Sequence, residues 1–258
     1  MINAVTFVLQ ETLEAALLIS VLLALSYQQK QPIHWLFTGL LCGLLFSAIY
    51  AANMPTISEW FDYVGQEVTN ASLQAAITLF ICLYAFSLRR SSSPSPNPLF
   101  FITATMSVVC AITVEGSEIF IYMTGFFQQK SHLQTILIGS SIGFAIGLSI
   151  GVLLFYLLRN LNNKLLRSSG LCLLALFAGN MLSQATLQLT QADWIPAAQA
   201  VWDSSQWLSE SSVTGRLLYA LIGYEATPSM AQVVSYLLGV TGVLLLANLK
   251  RPKASLSS

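Results

Sequence analysis

Two acidic pairs stand inside otherwise apolar runs of this chain: Glu11-Thr12-Leu13-Glu14 and Glu115-Gly116-Ser117-Glu118. The i, i+3 spacing within each pair puts both carboxyl groups on one face of a helix. A charged side chain at the centre of a bilayer costs roughly 2.5–3.5 kcal/mol on insertion scales, so four would cost on the order of 10–14 kcal/mol. Carboxyl groups in such a place must be protonated, face a water-filled cavity, or bind a cation. Oxygen ligands crowded at one point suit a hard cation.

The runs that carry these pairs have the length and composition of membrane spans. Of 258 residues, 55% are hydrophobic and 9% charged, and the mean hydropathy is +0.69. A soluble domain carries about 25% charged residues, so the chain reads as an all-α, polytopic membrane protein. Seven runs approach the ~20 residues that a spanning helix needs: about 4–26, 35–53, 71–88, 99–127, 133–158, 169–190 and 230–249. Gln74 and Thr78 interrupt the third. The first has no basic leader and carries two Glu in its middle, so it reads as a span and not as a cleaved signal.

Charge asymmetry orients the spans, because Lys and Arg collect on the cytoplasmic side. With the N-terminus outside and the C-terminus cytoplasmic, the inner loops hold Lys30, Arg89, Arg90, Arg159, Lys164, Arg167, Lys250, Arg251 and Lys253, and the outer loops only Lys130 and Arg216. The seven acids outside the motifs, Glu59, Asp62, Glu67, Asp193, Asp203, Glu210 and Glu225, all fall on the outer side. They would concentrate cations there, or they collect there because basic residues are excluded. Glu59, Asp62 and Glu67 are the candidates for outer capture, and Glu59 and Asp62 form a further i, i+3 pair if their segment is helical. The outer segment 191–229 carries Trp194, Trp202 and Trp207, a composition expected of short helices lying on the membrane surface. Arg90–Pro98 reads as a flexible inner linker. Cys42, Cys82, Cys110 and Cys172 lie within spans and read as buried structural thiols. His34 and His132 fall near membrane edges, away from the acidic pairs. The partner implied is the lipid bilayer; no feature points to nucleic acid.

A shift of 104 positions carries Glu11 and Glu14 onto Glu115 and Glu118, Gly39 onto Gly143, Gly43 onto Gly147, and Ser47 onto Gly151. Span 1 thus resembles span 4, and span 2 resembles span 5. Units of three spans insert with opposite topology, the inverted-repeat arrangement of many transporters, whose sites lie near the midplane between the repeats. The organisation expected is one permease domain, 1–258, with repeat units at about 1–88 and 99–190, the outer segment 191–229 and a last span 230–249. Glu11 stands about 12 Å and Glu118 about 13 Å from the outer surface at 1.5 Å per residue. Antiparallel helices ~8–10 Å apart would bring the four carboxyl groups around one point.

These residues resemble the high-affinity iron permease family, which includes fungal iron permeases and bacterial oxidase-linked iron transporters. That family carries Arg-Glu-Gly-Leu-Glu in its first span and Arg-Glu-Gly-x-Glu in its fourth. Here the motifs read Gln10-Glu11-Thr12-Leu13-Glu14 and Val114-Glu115-Gly116-Ser117-Glu118. The stretches Val201–Glu210, Gly215–Tyr224 and Pro228-Ser229 also resemble the family's region before its last span. The resemblance implies an iron permease of the cytoplasmic membrane, not an enzyme. It also implies transported iron, ferrous or ferric, in place of a cofactor, and an oxidase or metal-delivery protein as partner. The metal site it implies is Glu11, Glu14, Glu115 and Glu118. Gln10 and Val114 stand where the family has arginine, and Thr12 where it has glycine, so two compensating positive charges are missing from the motifs.

Three other readings are open at this level. The same carboxyl groups could carry another divalent cation or exchange a cation for protons. A membrane di-iron carboxylate enzyme would ordinarily add His at Glu-x-x-His spacing, and no His follows either pair. A neutral hydrogen-bonded packing network is the third.

Overall fold

The computed structural model describes residues 2–90, 98–126, 130–210 and 212–248. Residues 91–97 of the expected linker, and Lys250, Arg251 and Lys253, lie outside the described residues, as do the side chains of Arg89, Arg90, Lys130 and His132. Nine helices are described: α1 Ile2–Gln28, α2 His34–Ser58, α3 Trp60–Tyr63, α4 Gly65–Arg90, α5 Pro98–Phe126, α6 Lys130–Arg159, α7 Asn163–Gln191, α8 Val213–Ile222 and α9 Met230–Asn248. Seven of them, all but α3 and α8, are long and apolar enough to cross a membrane. Each span is a helix because, without water, only intrahelical bonds satisfy its backbone. The helix ends follow local chemistry. Asn162 caps α7 by accepting from the Leu165 amide at 2.9 Å, and Pro32 follows the left-handed Lys30 at the end of α1. α4 begins several residues before the apolar run that announces it, because Gly65–Asn70 continue the helix with polar side chains.

The motif helices are central. In α1 and α5, 78% and 72% of the spanning window is buried, against 28% and 22% in α2 and α6. α1 lies along α6, and α5 along α2, and both pairs run parallel. Their contacts fall in register: Gly39 meets Val108, Gly43 meets Ile112 and Ser47 meets Gly116, while Gly143 meets Val5 and Leu9, Gly147 meets Thr12, and Gly151 meets Ala16. α7 packs antiparallel to α4 and to α9, with Thr78 Oγ1 donating to the Ala178 carbonyl at 3.1 Å and Thr186 Oγ1 to Ser235 Oγ at 2.6 Å. The face carrying the start of α1 and the segment 191–229 is called here the N-terminal face. Towards the opposite face, Leu18, Leu22 and Leu25 of α1, Ile77, Ile81 and Tyr84 of α4, Phe100 and Val108 of α5, and Leu174 and Met181 of α7 close into one apolar core. Tyr84 is buried there by donating to the Leu22 carbonyl at 3.1 Å and packing on Phe100 with ring centroids 4.9 Å apart.

Three expectations need correction. The segment 191–229 holds one helix of any length, α8, and it does not lie flat: Leu217, Ala220 and Leu221 pack on Leu13 and Leu17 of α1. Glu59 and Asp62 do not share an α-helical face, since Phe61, Asp62 and Tyr63 have φ of 54°, 64° and 70°, a left-handed turn between α2 and α4. Of the four cysteines, all free, only Cys110 is buried, and Cys172 is exposed on α7.

Where the motif helices meet their neighbours, bulk is exchanged across the contact. Gly116, in α5, faces Ser47. Its counterpart in α1 is Thr12, and that extra bulk faces Gly147, where an added Cβ would stand 2.9 Å from the Thr12 side chain. Gly147→Ala should therefore overpack α1 against α6 and destabilise the protein by about 1–3 kcal/mol. Adding Thr12→Gly should restore most of that loss. Thermal unfolding of the two variants in detergent tests the pair; a Gly147→Ala protein as stable as the native one would mean that α1 and α6 are not packed this closely.

Candidate metal site

Glu11 and Glu14 come from the centre of α1, and Glu115 and Glu118 from the centre of α5. The two helices run antiparallel at this level. Phe7, four residues before Glu11, stacks on Tyr122, four residues after Glu118, with ring centroids 4.7 Å apart. In this register Glu11 faces Glu118 and Glu14 faces Glu115, and all four carboxyl groups lie within electrostatic reach of one another. Glu11 and Glu115 also lie within hydrogen-bond reach of each other. Glu11, Glu14 and Glu115 are buried and Glu118 is half-buried. Among the described residues, no three His, Cys, Asp or Glu side chains converge closely enough to hold a metal ion in this arrangement. The acidic layer is two facing pairs, not a closed cage.

Amides complete the layer. Gln10 hydrogen-bonds Glu14 from one turn away, and Gln184 of α7 donates from Nε2 to Glu14 Oε2 at 3.2 Å. Gln74 of α4 donates in turn to Gln184 Oε1 at 2.9 Å, and its own Oε1 is buried with no hydrogen-bond partner. Gln74, read from sequence as an interruption of the third span, is thus part of the polar chain behind the acidic layer.

A cavity of about 600 Å³ opens from the N-terminal face onto this layer. Gln10, Glu11 and Glu118 form its floor with Phe7, and Glu210, Arg216, Tyr219, Glu225, Thr227 and Gln232 form its wall. The wall is built locally. Ser229 and Gln232 form a capping box at the start of α9: the Ser229 amide donates to Gln232 Oε1 at 2.9 Å, and the Gln232 amide to Ser229 Oγ at 3.3 Å. Gln232 Nε2 then donates to Glu225. Val201 and Ser204 donate their amides to the Pro228 and Ala226 carbonyls at 2.8 and 2.9 Å, folding the segment over the loop.

The capture candidates Glu59, Asp62 and Glu67 do not line this cavity; Glu59 and Asp62 are exposed at the left-handed turn. Glu210, Arg216 and Glu225 do line it. Glu210 and Arg216 lie in stretches that resemble the family and Glu225 is one of the outer acids, but nothing in their spacing ties them to the motifs.

A family model, the iron permease FTR1 family, matches residues 100–250. That is more than half of the chain. The chain belongs to the iron permease FTR1 family. Members of this family are transporters, not enzymes, and the seven apolar helices make this one a multi-pass membrane protein. The part that matches the iron permease family includes Glu115, Glu118, Glu210, Arg216 and Glu225, and leaves out Glu11 and Glu14. No curated protein and no solved structure gives a match.

At the mouth, burial pushes Glu225 up to about 7; the Ser183 hydroxyl, donating at 3.3 Å, pulls it down, and the nearby Glu210 adds to the upward push. Glu225 is therefore largely protonated below about pH 7 and ionised above it. If it attracts cations into the cavity, the apparent KM for Fe²⁺ under anoxic conditions should rise roughly threefold as pH falls through about 7. Glu225→Gln should remove that step. Uptake into proteoliposomes across this range is the measurement, and an unchanged pH profile in the variant would take Glu225 out of capture.

Proposed function

We propose that this permease moves iron across a membrane through the acidic layer of Glu11, Glu14, Glu115 and Glu118. The observation that carries the reading is the cavity that ends on Glu11 and Glu118, with Glu14 and Glu115 one turn deeper. Carboxylate and amide oxygens form a hard donor set. Iron entering from the cavity would draw the two facing pairs together by side-chain rotation and displace the protons that the carboxyl groups carry, because metal ligands bind deprotonated.

The parallel packing of α1 on α6 and of α5 on α2 supports an inverted repeat of two three-span units, 1–88 and 99–190, with α9 as an added span. We place the N-terminal face outside and the C-terminus in the cytoplasm of a cell membrane, on the distribution of Lys and Arg. In that orientation the cavity is open outward, and the apolar core around Leu22, Ile81, Tyr84 and Phe100 closes the inner half. This is one end state of an alternating-access cycle. Loss of carboxyl protons on metal binding would make such transport proton-coupled.

Glu11→Gln and Glu118→Gln should each lower Fe²⁺ uptake by proteoliposomes at least tenfold while the protein stays folded in the membrane. Fe²⁺ binding by the native protein in weakly buffered detergent solution should release protons, read with a pH indicator. Normal uptake by both variants would refute the site, and binding without proton release would refute the coupling.

A further inference from the structure

The two motifs lack the arginines of their family, yet the acidic layer is not without a cation. We propose that Arg216 is the counter-charge of the layer, acting from α8 in place of an arginine at position 10, and that it sets how tightly the layer holds iron. This rests on the acidic layer being the iron site.

The fold presents Arg216 at that position by several independent contacts. Ser212 caps α8 by accepting from the Gly215 amide at 2.9 Å. Gly215 is pressed against the preceding turn, where a Cβ would fall 2.2 Å from the Ser209 carbonyl oxygen. At the other end Gly223 closes the helix in the left-handed conformation, φ 69°, and Asn180 of α7 donates to the Tyr219 carbonyl at 3.3 Å. Between these anchors, Leu217, Ala220 and Leu221 sit on Leu13 and Leu17 of α1. Arg216, next to Leu217, is thereby held beside the turn of α1 that carries the first motif.

Two openings in the structure have both Gln10 and Arg216 in their walls. One is the 600 Å³ cavity, which also exposes Glu11 and Glu118. The other is a small pocket between α1 and α8, lined by Leu9, Gln10, Leu13, Val213, Arg216 and Leu217 among others. The guanidinium therefore belongs to the surroundings of position 10, and it acts electrostatically on Glu11. No such group comes from α5, where Val114 is buried. The other titratable groups on the cavity wall, Glu210, Tyr219 and Glu225, carry no positive charge. Arg216 is the cation that the described part of the cavity provides. An arginine stays protonated at any accessible pH, so it subtracts one negative charge from the layer permanently. A layer with less net negative charge binds a cation less tightly and releases it faster.

Counting charges gives an ordering that a purely structural role for Arg216 would not. Arg216→Gln leaves no counter-charge: Fe²⁺ should bind on the order of tenfold tighter, with apparent KM and kcat for uptake both reduced. Gln10→Arg adds a second: Fe²⁺ should bind more weakly by a similar factor, with KM raised. The double variant Gln10→Arg, Arg216→Gln has one again, on the other helix, and should return near the native Kd and kcat. The experiment is anoxic Fe²⁺ binding by purified protein and uptake into proteoliposomes for all four forms. A double variant that behaves like Arg216→Gln would show that Arg216 only holds α8, and would overturn the proposal. If Arg216→Gln does not fold, Gln10→Arg on the intact background still decides, because native affinity in that protein also overturns it. Glu11→Gln run alongside separates the two readings. Its loss of uptake together with failure of the charge ordering leaves the iron site standing and removes only Arg216.

Discussion

Four carboxyl groups in the middle of an apolar bundle are the constraint to which the rest of this structure answers. A buried charge without a partner is among the most costly things a membrane helix can contain. The molecule meets that cost in three ways at once. It brings the acids into facing pairs, Glu11 with Glu118 and Glu14 with Glu115. It turns the amides of Gln10 and Gln184 towards Glu14. It admits the N-terminal face as far as Glu11 and Glu118 through the cavity. α1 and α5 must then be the most enclosed helices, and α2 and α6 take the periphery, as their burial shows.

Enclosure at this depth requires close helix packing, and that explains where the small residues fall. Gly39, Gly43, Gly143, Gly147 and Gly151 all face a motif helix so closely that an added Cβ would come within 3.0 Å of a neighbouring atom. Membrane helices associate through such contacts because lipid provides no hydrophobic drive between them. The replacement of a motif glycine by Thr12 is tolerated because its bulk falls opposite Gly147, whereas Gly116 faces the larger Ser47. A departure that looks like lost function when read along one helix is compensated across the interface.

The spans were legible in the sequence because lipid imposes one rule on every spanning residue, and the acidic pairs were legible because they break that rule. The partners of those pairs were much harder to read. Gln74 and Gln184 are ordinary polar residues along the chain, and only the antiparallel packing of α4 on α7 links them to Glu14. Arg216 and Glu225 sit in a segment read as surface helices, and the apolar seat of α8 on Leu13 and Leu17 draws that segment inward. Glu59 and Asp62 do not form a helical pair, for a local reason. Their spacing suits a helix, but Phe61, Asp62 and Tyr63 turn the chain left-handed to enter α4 within a few residues. Pattern reports what is repeated along a helix, and the missing information lay between helices.

A bundle with one wet half and one dry half reconciles two opposing demands on a permease. Hydrated acids near the mouth are inexpensive and can exchange ligands with water; acids one turn deeper hold a cation only by replacing that water with oxygen from the protein. In the proposed reading, iron would pass from Glu11 and Glu118, which line the cavity, to Glu14 and Glu115, one turn deeper. Beyond them the apolar core of Leu18, Leu22, Ile77, Ile81 and Met181 supplies no carboxylate, so an ion cannot continue while that core stays packed. In that reading, further movement requires one group of helices to rock against another. Since α1 and α5 carry the facing pairs and also part of that core, a motion that opens the dry half would also shift the pairs. Weakening the site and opening the exit would then be the same event.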